Sequence, residues 1–173
     1  MKVDPEKLSF DLFSTSDNFS ALDFTEDDGT DPLGIDDFIK NRVQDYLPNK
    51  LASIWTVRYE SVIVAYFTTS MFAIGYRQLF DDEHVKEVPI VSYPAVLLGR
   101  MGVHKKERGR DIGYWICQFC IGLAQEIGKR IACRYIVLQT VKAKSTYYEK
   151  KCMFHQTKRV NLEGKIWMYR RLS

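Results

Sequence analysis

Residues Tyr93 to Gln125 read YPAVLLGRMGVHKKERGRDIGYWICQFCIGLAQ, and the fold turns on how this stretch is read. It begins with an apolar run, Ala95 to Val103, long enough for one buried strand. The run gives way to a basic, glycine-bearing turn, Lys105-Lys106-Glu107-Arg108-Gly109-Arg110. From Ile112 apolar residues return at helical spacing, at Ile112, Ile116, Phe119, Leu123 and Ile127. Strand, basic turn and helix together aim backbone N–H groups and the positive end of a helix dipole at one point, which suits an anion. A phosphate-bearing ligand at this turn is the first functional expectation.

The bulk numbers set bounds around that stretch. A chain of 173 residues with 46% hydrophobic and 13% aromatic residues suits one globular domain, 1–173, with one core. The four cysteines, Cys117, Cys120, Cys133 and Cys152, lie in apolar or helical stretches without framework spacing, so a reduced, cytoplasmic setting is expected. No apolar run reaches the roughly 20 residues of a membrane span, so no membrane partner is expected. The net charge of +3 is unevenly spread. Residues 1–37 hold 11 Asp and Glu against only Lys2 and Lys7, and from Met101 onward 16 basic residues face five acidic ones. A solvated face would explain the basic half. Beside a phosphate-type turn, a surface for an anionic cofactor or nucleic acid is equally well motivated.

Taken in order, Leu8 to Phe13 alternates as a first strand, and residues 14–31 form an acidic loop. Asp31-Pro32 opens an amphipathic helix over 32–47, which Pro48 stops. Two strands follow, Ser53 to Arg58 and Ser61 to Ser70, joined as a hairpin through Tyr59-Glu60. After a mixed stretch come the central strand, the turn and a helix to about Arg130. Arg134 to Thr140 is a further strand, Lys144 to Cys152 a short helix, and 154–161 pairs with Ile166 to Arg170 across Glu163-Gly164. This order predicts an α+β fold with one mixed, twisted sheet of about six to seven strands flanked by helices. The turn is neither GxGxxG nor GxxxxGK[ST], so the dinucleotide and P-loop readings lose their support.

Met101 to Gly113, MGVHKKERGRDIG, resembles the acyl-CoA-binding segment of the GNAT acetyltransferases. In that family a strand ending Leu-Ala-Val is followed, after four residues, by Gln/Arg-x-x-Gly-x-Gly/Ala opening a helix. Arg108, Gly109 and Gly113 fall in that register. Thr146-Tyr147-Tyr148-Glu149-Lys150 is similar to the family's Phe-Tyr-Glu-Lys segment. Ile35 to Lys40 with the following hairpin, and Tyr93 to Met101, resemble the toxin-type subgroup, so the likeness spans roughly 32–155. The resemblance implies a GNAT-like fold and an N-acetyltransferase moving the acetyl group of acetyl-CoA to a primary amine in a ternary complex. It implies cofactor binding by Met101, Gly102, Val103, Arg108, Gly109, Arg110, Asp111, Ile112 and Gly113, with Tyr148 as general acid. No metal is implied. The acceptor is left open among a small molecule, a protein and an aminoacyl-tRNA, and an antitoxin and a second copy of the chain are the candidate protein partners. The alternatives are a toxin of a toxin–antitoxin pair that acetylates aminoacyl-tRNA, and a non-catalytic acyl-CoA-binding module.

Elementary chemistry agrees with the assignment. Coenzyme A carries a pyrophosphate that closely spaced N–H groups can hold, with Lys105, Lys106, Arg108 and Arg110 as counter-charge. Acyl transfer needs a polarised thioester carbonyl, here by an N–H near Met101 or Gly102, and a proton donor for the thiolate. Asp111 stands where the family has its middle glycine, so its carboxylate is expected to turn away or to pair with Arg108 or Arg110. Cys152-Met153 replaces Gly-Phe. Cys117-Gln118-Phe119-Cys120 is expected to be buried packing, since no second pair stands at zinc spacing. Arg100, charged in an apolar strand, points to an open sheet face or a ligand. His104 is expected at the surface, and the acidic N-terminal loop either solubilises the chain or covers the basic half.

Overall fold

The apolar and β-branched runs become seven strands in the computed structural model, which describes residues 1–160 and 163–173. They are β1 (Leu8–Leu12), β2 (Ser53–Tyr59), β3 (Val62–Gly75), β4 (Ser92–Val103), β5 (Tyr135–Val141), β6 (His155–Val160) and β7 (Lys165–Arg171). They form one sheet in the order β1-β2-β3-β4-β5-β7-β6. Strand β4 pairs with β5 in parallel, while β1 with β2, β2 with β3, β5 with β7 and β6 with β7 are antiparallel. The α+β class and the mixed sheet are as expected. Residue 161, the last of the expected strand 154–161, lies outside the described residues.

Among the described residues, besides short 3-10 turns, there are three longer helical segments. The first, α1, runs Ile35–Asp37, then a π-helical stretch Phe38–Arg42, then Val43–Tyr46. It begins three residues later than Asp31-Pro32 predicts, yet Asp31 still does the capping. Its carboxylate accepts from the N–H groups of Ile35 at 2.6 Å and of Asp36 and Asp37 at 3.0 Å. These are donors that have no partner within the helix. The others are α2 (Ile112–Gly128) and α3 (Lys142–Cys152). On α2 the buried stripe is Ile112, Ile116, Cys117, Cys120, Ile121 and Ala124. Phe119, Leu123 and Ile127, which periodicity places on the buried face, are only half-buried. The cysteines take the core positions instead, acting as small apolar groups.

The chain divides into two compact units, Met1–Ser70 with Gly99–Ile116, and Met71–Leu98 with Cys117–Ser173. In the first, the acidic loop sends Phe19 and Phe24 inward to join Phe38, Ile39, Val43, Ile54 and Tyr66 in a core cluster. The Asp17 side chain of that loop is buried, paired with Arg58 of β2 and accepting from the Thr56 hydroxyl at 2.6 Å. In the second unit, Tyr93, Tyr135 and Tyr169 pack edge to face, with ring centroids 5.8 Å and 5.7 Å apart, beside Ile74, Leu79 and Val137.

Candidate functional site

The turn that joins β4 to α2 belongs to the first unit. His104 donates its N–H to the Val64 carbonyl at 2.9 Å, which ends β4 on its neighbour. A single 3-10 turn, Lys105–Glu107, follows. Gly109 then adopts φ +75° and Asp111 φ +65°, so the backbone reverses at two alternate residues. Glycine takes such angles freely, and aspartate does so better than most residues. Asp111 is the N-cap of α2, its carbonyl accepting from Trp115 N–H at 3.2 Å. Ile112 is buried and anchors the first turn, and Gly113 is half-buried. The sequence thus builds a short nest of N–H groups at the head of a 17-residue helix.

The cations of the turn are largely committed. Arg108 donates through Nη2 to the carbonyls of Thr25 at 2.7 Å and Phe24 at 3.2 Å, and through Nε to Val103 at 3.3 Å. Its Nη1 lies 3.3 Å from Asp27. Lys105 pairs with Asp23 at 3.1 Å. Arg110 pairs with Glu107 and stacks over the Tyr59 ring, 4.9 Å from its centroid. The acidic loop therefore meets the basic turn directly. The Thr25 hydroxyl and N–H, then Lys105, hold the Asp23 carboxyl well below the usual carboxylate range. His104 is no free surface residue, since its Nδ1 accepts from Asp23 N–H at 3.0 Å.

Asp111 pairs with neither Arg108 nor Arg110. Its carboxylate meets the Lys2 ammonium at 2.8 Å, and next to it Val3 donates its N–H to the Arg110 carbonyl at 3.1 Å. Val3 is buried, so the N-terminal segment is docked on the turn.

Along β4, Met101 and Val103 are half-buried and Gly102 is buried. A Cβ on Gly102 would lie 2.7 Å from Ile35, 2.9 Å from Phe24 and 3.0 Å from Tyr66, so the strand approaches the aromatic cluster too closely for any side chain there. Arg100 lies over Phe38, with its guanidinium carbon 4.3 Å from the ring centroid, and 5.5 Å from that of Tyr46. Its Nε is buried without a hydrogen-bond partner, the one such side-chain atom among the described residues.

Tyr148 belongs to the second unit, on α3. It is about nine-tenths buried and packs edge to face on Phe154 at 6.3 Å and on the half-exposed Tyr147 at 5.4 Å. Its carbonyl accepts from Phe154 N–H at 3.1 Å and from Met153 N–H, closing the helix. Met153 takes the left-handed conformation at φ +56°. Cys152 and Cys117 are fully buried, and the Cys117 thiol hydrogen-bonds to Cys152. That bond, with burial, pushes the Cys117 thiol well up. The CxxC of α2 is thus buried packing, and the signal missed in the sequence is the pairing of Cys117 with Cys152.

No family model matches the sequence, and no curated protein matches it. Solved structures do. A tyrosine-to-phenylalanine mutant of KacT superposes with a TM-score of 0.79 at 14% identity, covering 96% of this chain and 95% of that one. AtaT complexed with acetyl-methionyl-tRNAfMet gives 0.76 at 14% identity, covering 92% and 93%. The chain has the fold of these toxins. A mutant AtaT bound to the C-terminus of the antitoxin AtaR and acetyl-CoA gives 0.71 at 12% identity, covering 96% and 94%. The GNAT-type fold expected from Met101 to Gly113 is therefore observed, and the likeness runs over nearly the whole length of both chains.

Proposed function

We propose that the protein is an N-acetyltransferase that uses acetyl-CoA and acts by direct attack of a primary amine in a ternary complex. The observation that carries this reading is the turn from Arg108 to Gly113. It reverses twice, at Gly109 and Asp111, and opens a long helix on a fold that in AtaT holds acetyl-CoA. The N–H groups of that turn hold the pyrophosphate. The β4–β5 ladder ends at Leu98–Leu138 while β4 runs on to Val103, so Met101 to Val103 keep backbone groups for the pantetheine amides. An N–H at Met101 or Gly102 polarises the thioester carbonyl, and Tyr148 donates a proton to the departing thiolate. Arg108 serves the site indirectly, by fixing the turn to the 24–27 loop.

A toxin acting on aminoacyl-tRNA is the second reading. It is favoured by the likeness to AtaT complexed with acetyl-methionyl-tRNAfMet and by the basic residues that follow Met101. An antitoxin partner, as AtaR is for AtaT, and a cytoplasmic setting belong to it. One experiment separates the readings. Acetyl-CoA binding is measured by calorimetry, then acetyl transfer is assayed on a panel of small amines, lysine peptides and charged tRNA. Transfer to charged tRNA alone selects the toxin, and transfer to other amines selects the broader enzyme. Binding without transfer leaves an acyl-CoA-binding module, and no binding removes the proposal.

A further inference from the structure

Asp111 puts a carboxylate at the head of α2, where the proposed reading needs negative charge to be welcome. Of the other charges on the turn, Lys105 is matched by Asp23, Arg108 by Asp27 and Arg110 by Glu107. That leaves Lys106, which has no carboxylate partner among the described residues, set against Asp111. Without a further cation the turn is close to neutral. The further cation comes from the other end of the first unit. Lys2 reaches Asp111 at 2.8 Å, and its place is set by its neighbours. Val3 is buried and hydrogen-bonded to the Arg110 carbonyl, and Asp4 caps the short 3-10 turn Pro5–Lys7 that leads into β1. The Asp111 side chain is 26% exposed while that of Lys2 is 73% exposed, so the ammonium stands on the solvent side of the carboxylate.

We propose that Lys2 is a positioning residue of the acyl-CoA phosphate site, which turns the Asp111 carboxylate outward and cancels its charge so that the turn accepts a pyrophosphate. This inference rests on the acetyltransferase reading above. The left-handed angle at Asp111 is what makes the arrangement work. At that angle the carboxylate meets Lys2 of the N-terminal segment, where a glycine would need no such partner. The chain thereby carries an aspartate at the head of α2 without leaving a bare anion beside the phosphates.

The test is a double-mutant cycle in acetyl-CoA affinity, measured by calorimetry on the full chain with any tag at the C-terminus. Lys2→Ala is expected to weaken binding about two- to fivefold, the range for one charge at a helix N-terminus. In an Asp111→Gly background the same change is expected to have no measurable effect. Raising the salt should shrink the Lys2→Ala effect, because the interaction is between exposed charges. In turnover assays Lys2→Ala should raise KM for acetyl-CoA and leave kcat alone. Equal affinities for the unmodified chain and Lys2→Ala overturn the inference while leaving the acetyltransferase reading intact. A loss of the same size in both backgrounds also overturns it, by making Lys2 a direct phosphate contact. Failure of the unmodified chain to bind acetyl-CoA overturns the reading and the inference together.

Discussion

Asp111 and Met153 are both non-glycine residues at positive φ beside a helix end, one at the head of α2 and the other at the tail of α3. Their surroundings differ. Asp111 has a cation at 2.8 Å, a carbonyl that starts the helix and a side chain that tolerates the angle. Met153 is 59% exposed, and its backbone N–H closes the helix while its side chain gains little burial. The strained backbone at Asp111 is compensated by residues brought from far along the chain, and that at Met153 is simply borne. Local strain alone therefore does not mark a site. The contacts collected around it do.

The largest expected effect lies beside the uncompensated position. If Tyr148 is the general acid, Tyr148→Phe should lower turnover about 10²- to 10⁴-fold. Acetyl-CoA affinity by calorimetry should stay unchanged, because the phosphate turn lies on other elements. The phenyl ring keeps the packing on Phe154 and Tyr147. Normal turnover in this variant would reduce Tyr148 to a core residue, and the comparison would then be between two structural corners.

On the turn side the largest effect falls on stability. Gly102→Val would drive side-chain atoms into Ile35, Phe24 and Tyr66, where even a Cβ is too close. Overpacking of this kind costs about 1–3 kcal/mol, read as a lower urea midpoint at unchanged slope. A neutral result would mean that the aromatic cluster gives way, and that Gly102 is there for the ligand alone.

How far the sequence reveals these features depends on sequence separation. Strand, turn and helix from Tyr93 to Gln125 are local patterns, and the hairpin is legible too, although its turn falls at Glu60-Ser61, both at positive φ, one residue beyond the expected Tyr59-Glu60 link. Register to a known motif supplies Arg108, Gly109 and Gly113. What periodicity cannot supply is which acid meets which base. Lys105 and Arg108 find Asp23 and Asp27 some 80 residues upstream, and Asp111 finds Lys2. A composition reading sees an acidic loop and a basic turn, and only the fold brings them together. The buried stripe of α2 is misjudged for a related reason, because cysteine carries less apolar weight than Phe119 or Leu123 and yet fits the tighter face.

The finest test of the comparison replaces both residues by glycine. At Met153 the left-handed backbone costs about 1–2 kcal/mol, of which the extra freedom of glycine in the unfolded chain returns roughly half. Met153→Gly should therefore stabilise the protein by about 0.5–1 kcal/mol, seen as a higher urea midpoint. At Asp111 the same substitution relieves less, because aspartate tolerates the angle, and it also removes the contact to Lys2. Its midpoint should move by at most about half as much, in either direction. Two equal gains would mean that Lys2 contributes nothing to Asp111 in the folded chain, and the contrast between a compensated and a borne departure would disappear. A gain at Met153 alone would establish that the N-terminal segment holds Asp111 in place before any ligand arrives, as a pre-organised phosphate site requires.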